Sequence, residues 1–113
     1  MGPACEQWVI AQVAILNRAL RKGWALSSYR TEGGAEVDLV VESDRAVMGI
    51  EIKSSPRVRP PDFRGLHSLG EMVGKYKPFT RYVAYRGKDR LGFGPRSAAI
   101  PFDHLLRELA EVS

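Results

Sequence analysis

Four acidic residues and a lysine stand in an order that suits chemistry on a phosphate. Glu36 and Asp38 lie two apart in one β-branched run, and Glu51 and Lys53 lie two apart in the next. Alternate residues of a strand share a face, so each pair projects to one side. Two runs joined by a tight turn are neighbours, and Asp38 and Glu51 then converge. Two carboxylates within a few ångströms repel unless a cation sits between them. Mg²⁺ takes oxygen ligands of this kind, completed by water and substrate phosphate. A lysine beside them puts positive charge where a phosphoryl transition state gains negative charge. A half-exposed sheet with Glu and Lys alternating towards solvent has the same spacing, and a lone Glu-x-Lys is common in strands. Glu6 adds to the set. It stands three residues before Val9 on a stripe with Val13, Leu16 and Leu20. From there it either favours the helix start, where the dipole welcomes an anion, or reaches the sheet and joins Asp38 and Glu51.

These residues need elements to position them. The stripe predicts a helix over Ala4–Lys22, with Arg18, Arg21 and Lys22 near its end and Gly23 as its stop. Three strands follow: Trp24–Thr31, Ala35–Glu42 after a Gly33-Gly34 turn, and Ala46–Ser54 after Ser43-Asp44. Arg57–Pro61 reads as a loop and Asp62 as a helix cap. Phe63, Leu66, Leu69 and Val73 give a helical face as far as Gly74. Phe79–Tyr85 is a fourth strand, Gly87–Pro95 a basic loop, Ala98–Ile100 a short strand and Pro101–Val112 a last helix. The order α-β-β-β-α-β, then β and α, predicts an α/β (α+β) layer: a central mixed sheet flanked by helices.

With 113 residues the chain makes a single domain, read as spanning 1–113. Its 44% hydrophobic and 27% charged content excludes disorder along most of its length. No apolar run reaches the roughly 18 residues of a membrane span, and no basic-then-apolar signal plan opens the chain, so the expected location is cytoplasmic, away from membranes. Cys5 is the single cysteine, which excludes an internal disulfide and a cysteine-rich zinc site. His67 and His104 are far apart and read as surface or packing residues. The net charge of +4 is unevenly spread: residues 54–97 hold ten basic and three acidic side chains, against six and seven in residues 1–53. A basic region beside an acidic cluster fits a phosphate backbone, although a solvated basic face has the same composition.

An acid on the first helix, an acid on the second strand and acid-x-Lys on the third resemble the PD-(D/E)xK nuclease superfamily, whose restriction-endonuclease-like core runs αβββαβ. The motif reads Asp38, then Glu51-Ile52-Lys53, with Glu6 as the helix acid. Val37 stands where the motif's proline would be. A closer likeness covers nearly the whole chain. Tyr29-Arg30-Thr31, Gly33-Gly34-Ala35-Glu36-Val37-Asp38-Leu39-Val40 and Gly49-Ile50-Glu51-Ile52-Lys53-Ser54-Ser55 resemble the domain that follows the ATPase module in many prokaryotic AAA-type ATPases. Tyr82-Val83-Ala84-Tyr85-Arg86-Gly87 and Ile100-Pro101 fit its later pattern.

The resemblance implies that Asp38 and Glu51 ligate Mg²⁺ or Mn²⁺, helped by the Ile52 carbonyl. Lys53 would position the attacking water or stabilise the pentavalent phosphate, with Glu6 and Glu36 auxiliary. Nucleic acid is then the expected partner, tracked by Arg57, Arg59, Arg64, Lys75, Lys77, Arg86, Lys88 and Arg90. No Gly-x-x-x-x-Gly-Lys-Ser/Thr occurs, so the chain reads as a fragment or free-standing relative of an ATPase-associated domain. The competing expectation is a non-catalytic accessory or interaction module for an AAA-type ATPase, self-associating as a homo-oligomer. Trp8, Trp24, Tyr76 or Phe93 would mark its contact surface, unless they pack in the core.

Overall fold

The computed structural model describes residues 2–112. Helix α1 (Gly2–Ala19) precedes strands β1 (Ala25–Arg30), β2 (Glu36–Glu42) and β3 (Val47–Ile52). A 3₁₀ turn (Pro60–Phe63) leads into α2 (Arg64–Val73). Then come β4 (Phe79–Tyr85), β5 (Leu91–Gly92), β6 (Ser97–Pro101) and α3 (Phe102–Glu111). The six strands form one sheet in the order β1-β2-β3-β4-β6-β5. β1, β2 and β3 make an antiparallel meander, whereas β3, β4 and β6 run parallel. The expected mixed sheet flanked by helices is therefore present.

Two apolar clusters hold the layers together. On one face Val9 and Val13 of α1 and Leu105 and Leu109 of α3 meet Leu39, Val41, Ile50 and Ile100. On the other, Phe63, Leu66 and Leu69 of the 3₁₀–α2 segment meet Val37, Val40, Val47, Phe79 and Val83. Burying one such aliphatic side chain is worth about 1.5–3 kcal/mol, so α2 is fixed by several anchors at once. Two glycines let it approach. A Cβ on Gly65 would fall on the Glu36 carbonyl oxygen, and one on Gly49 would come within 2.8 Å of Leu66 and Phe79. Among the described residues no helix is long and apolar enough to cross a membrane.

Several element limits differ from expectation. Helix α1 stops at Ala19 rather than running to Lys22, because Arg21 takes a left-handed φ of 50° before Gly23 at 71°. The Asn17 side chain then grips both backbone polar groups of Trp24, at 3.0 and 3.1 Å. Leu20, expected on the inward stripe, lies beyond the helix and is half exposed. The Gly87–Pro95 stretch is not all loop: Leu91 and Gly92 pair with Ala99 and Ala98. Asp62 is not the residue before the helix. It sits third within the 3₁₀ turn, where its carboxylate accepts the Arg59 N–H at 2.8 Å.

Candidate functional site

The cluster forms at the end of the β2–β3 ladder. Regular pairing runs from Glu42↔Val47 to Leu39↔Ile50 and then stops. One step further, side chains replace backbone. The Glu51 Oε1 accepts the Asp38 N–H at 3.2 Å, and Asp38 Oδ2 accepts the Ile52 N–H at 2.8 Å. On its other side β2 is irregular: Ser27 pairs with Val40 but Tyr29 with Val37, so β2 holds one residue more than β1 across this step. A bulge of this kind bends a strand and re-aims a side chain. Its trace is visible in the packing, since Val37 and Val40 enter the same apolar cluster although they are three residues apart.

The surroundings set the electrostatics. A cleft of about 420 Å³ is lined by Glu6, Glu36, Asp38, Glu51, Ile52 and Lys53, and by Asp62, Arg64 and Gly65 from the 3₁₀–α2 corner. Burial pushes the Glu51 carboxyl up to about 9, with a shared hydrogen bond and the charge of Asp38 adding to the rise. The rise favours the protonated form of Glu51 beside the Asp38 carboxylate. The Glu6 carboxyl is also raised, first by its hydrogen bond with Asp38, then by burial and the Asp38 charge. Of the two readings open for Glu6, the structure selects the one in which it reaches the sheet.

Lys53 does not stand free. Its ammonium binds Asp62 Oδ2 at 2.6 Å, with both side chains mostly shielded. Burial pushes the Asp62 carboxyl up, but the Lys53 and Arg59 bonds outweigh it and leave it below the usual carboxylate range. Sequence reasoning placed Asp62 as a cap and missed its link to Lys53. Nothing in the local pattern signals that link, because its partners are nine positions apart across a largely irregular loop.

The donor set can be tested for a cation. Among the described residues, no three His, Cys, Asp or Glu side chains are placed to hold one ion. Asp38 and Glu51 would supply a cation with two carboxylates. Mg²⁺ commonly keeps several waters and takes only one or two protein carboxylates, and the proton Glu51 retains is what a cation would displace. Ile52 lines the same cleft.

The basic residues do not share one track. Arg64 is at the cleft, while Lys75 and Lys77 line a separate cavity beyond the far end of α2. Arg86 lies beside Trp8 and Phe102, and Arg90 pairs with Glu108 at 2.5 Å. Arg57, Arg59 and Lys88 are exposed on loops. Trp24 is buried and Phe93 stacks on Phe63, whereas Trp8 and Tyr76 are exposed. His67 is exposed against Phe63, and His104 lies 4.0 Å from Asp103, both away from the cleft.

A mixed sheet between helices, with interlocked carboxylates where two strands part, defines an α+β domain with an acidic cleft. The chain belongs to the family described as a domain of unknown function, DUF4143, whose model matches residues 1–105. No curated protein matches it.

Proposed function

We propose that this protein is a metal-dependent nuclease-like domain of the PD-(D/E)xK kind, hydrolysing phosphodiester bonds in nucleic acid through Asp38, Glu51 and Lys53. One observation carries the reading: two carboxylates from facing strands are locked together at an open cleft, with a raised carboxyl and a lysine beside them. A structural pair would more simply continue the backbone ladder. Bound there, Mg²⁺ or Mn²⁺ would polarise the phosphate and lower the pKa of a water.

The chain's own residues have defined tasks. Asp38 keeps Oδ2 on the Ile52 N–H, which orients its carboxylate, and a cation would compete with Glu6 and Glu51 for the rest of it. Glu51 uses Oε1 on the Asp38 N–H in the same way, and the Ile52 carbonyl would be a third ligand for the cation. Lys53 offsets charge developing on the phosphate, and Asp62 holds the lysine at the cleft wall meanwhile. Glu6 and Glu36 set the charge of the entrance. The resemblance to ATPase-linked domains makes an AAA-type ATPase module the natural partner of such a domain in a cytoplasmic protein.

Cleavage tests this directly. Linear, circular and branched DNA are incubated with the protein in Mg²⁺ and then Mn²⁺, beside Asp38→Asn and Lys53→Ala. Expected is metal-dependent cutting that Asp38→Asn, by removing a ligand and its charge, and Lys53→Ala both abolish. Folded wild type that cuts none of these substrates would transfer the argument to an accessory role beside an ATPase.

A further inference from the structure

A second polar cavity, of about 440 Å³, lies at the opposite end of α2 from the carboxylates. Helix α2 has ten residues, which sets the two about 15 Å apart along its axis. The lining is basic and aromatic: Lys75, Tyr76, Lys77, Arg81 and Arg96. The β4–β6 register puts Ser97 opposite Arg81, and the Arg81 N–H donates to the carbonyl of Arg96 in the turn before β6 at 2.7 Å, so the two arginines are neighbours.

The charges differ in how far they are used. Lys77 is already held, by Glu42 at 2.9 Å and by the Ser43 carbonyl at 2.8 Å. Cations near the C-terminus of α2 also answer its exposed carbonyls, which accounts for Lys75 in part. Neither reason covers Arg81, which lies in β4, or Arg96, in the turn that leads into β6. Among the described residues, Lys75, Arg81 and Arg96 make no ion pair with a carboxylate within 4.0 Å. The Arg81 Nε is shut off from solvent without an acceptor, and its guanidinium lies 5.3 Å from the Phe79 ring. Beside these cations Tyr76 is 83% exposed, with its ring unburied. Uncompensated cations next to a bare aromatic ring match the two needs of single-stranded nucleic acid, phosphate neutralisation and base stacking.

We infer that this cavity is a binding site for single-stranded nucleic acid, in which Lys75, Arg81 and Arg96 hold backbone phosphates and Tyr76 stacks a base. The choice of ligand rests on the nuclease reading of the carboxylate cleft, but the site is tested without it.

Binding of a fluorescent ten-residue oligothymidylate is followed by anisotropy in chelator, so that neither metal nor cleavage enters. Tyr76→Ala should weaken binding about tenfold at unchanged salt dependence, within the range for losing one stacked base. The pair Lys75→Ala with Arg96→Gly should make the slope of log affinity against log salt shallower by about 1.4, since each phosphate contact on a single strand contributes about 0.7. Arg96 has a left-handed φ of 52°, so glycine there relieves strain and the fold is kept. Arg107→Ala, which removes an exposed cation on α3, should change the affinity less than twofold. The inference is overturned if wild type does not bind, if both cavity variants bind as wild type does, or if thymidine monophosphate competes as well as the oligomer. Failure of the nuclease reading looks different: no cutting, with binding and both variant effects intact.

Discussion

Glu51 is the residue whose ionisation is hardest to accommodate. Its carboxyl is pushed from 4.5 in the unfolded reference to about 9 in the fold. A carboxyl raised in this way stabilises the fold while protonated. That contribution is full below about pH 4.5 and lost as pH climbs towards 9, because the unfolded chain has already released its proton. Glu51→Gln keeps an acceptor for the Asp38 N–H and an N–H donor for its carboxylate, yet has nothing to ionise. Thermal melts of the two proteins should coincide near pH 4, and the glutamine variant should melt higher at pH 8. An advantage of about 1 kcal/mol would appear as about 4–8 °C. Equal melting temperatures at both pH values would mean that Glu51 ionises freely. Two β-branched runs joined by a tight turn were enough to put Asp38, Glu51 and Lys53 at one end of the sheet, but the β2 bulge, which sends Val37 to the opposite cluster from Leu39 and Val41, leaves no mark in the spacing. Asp62 was not legible in the sequence, because its partner is set by how the Arg57–Pro61 loop folds back, and no periodicity records that.

Among the elements, α2 decides the shape of the cleft. Its first turn rests on the backbone of β2 at Glu36, with Gly65 as the point of contact. Gly65→Ala sets two effects against each other. Alanine favours the helix by about 1 kcal/mol. Its methyl group would strike a carbonyl that cannot rotate away, and overpacking of this sort typically costs about 1–3 kcal/mol. The clash wins, so the variant should unfold at lower denaturant, and displacement of α2 should also lower any cleavage rate. A more stable variant would mean that α2 can move outward without loss. The elements themselves were readable to within a few residues wherever apolar period and turn residues agreed, as in β2, β4 and α3. The misses have local causes. Helix α1 ends early because Arg21, not a glycine, makes the first left-handed step. β5 is two residues long, too short to carry an alternation, and exists only because β6 lies beside it.

Across the whole molecule, the carboxylate cleft is where distant parts of the chain meet. Glu6 comes from the first helix, Asp38 and Glu51 from the meander, and Asp62 and Gly65 from the crossover. Unfolding scatters these groups, so a cation held by Asp38 and Glu51 binds the folded chain far more tightly than the unfolded one. Its binding energy is then added to the stability of the entire domain: about 2.7 kcal/mol at a hundredfold excess over Kd. For a domain of this size that is a rise in Tm of about 10–20 °C, at about 4–8 °C per kcal/mol. Mn²⁺ or Mg²⁺ should therefore raise the melting temperature of wild type and leave that of Asp38→Asn nearly unchanged. The rise should be larger at pH 8 than at pH 6, because Glu51 must give up its proton before it can ligate, and that loss becomes easier as pH approaches 9. A shift of the same size in both proteins would assign the ion to some other part of the surface. A shift in wild type that ignores pH would leave Asp38 as a ligand and remove Glu51. The melting curve thus separates the two carboxylates without any substrate, and does so whether or not the domain cuts nucleic acid.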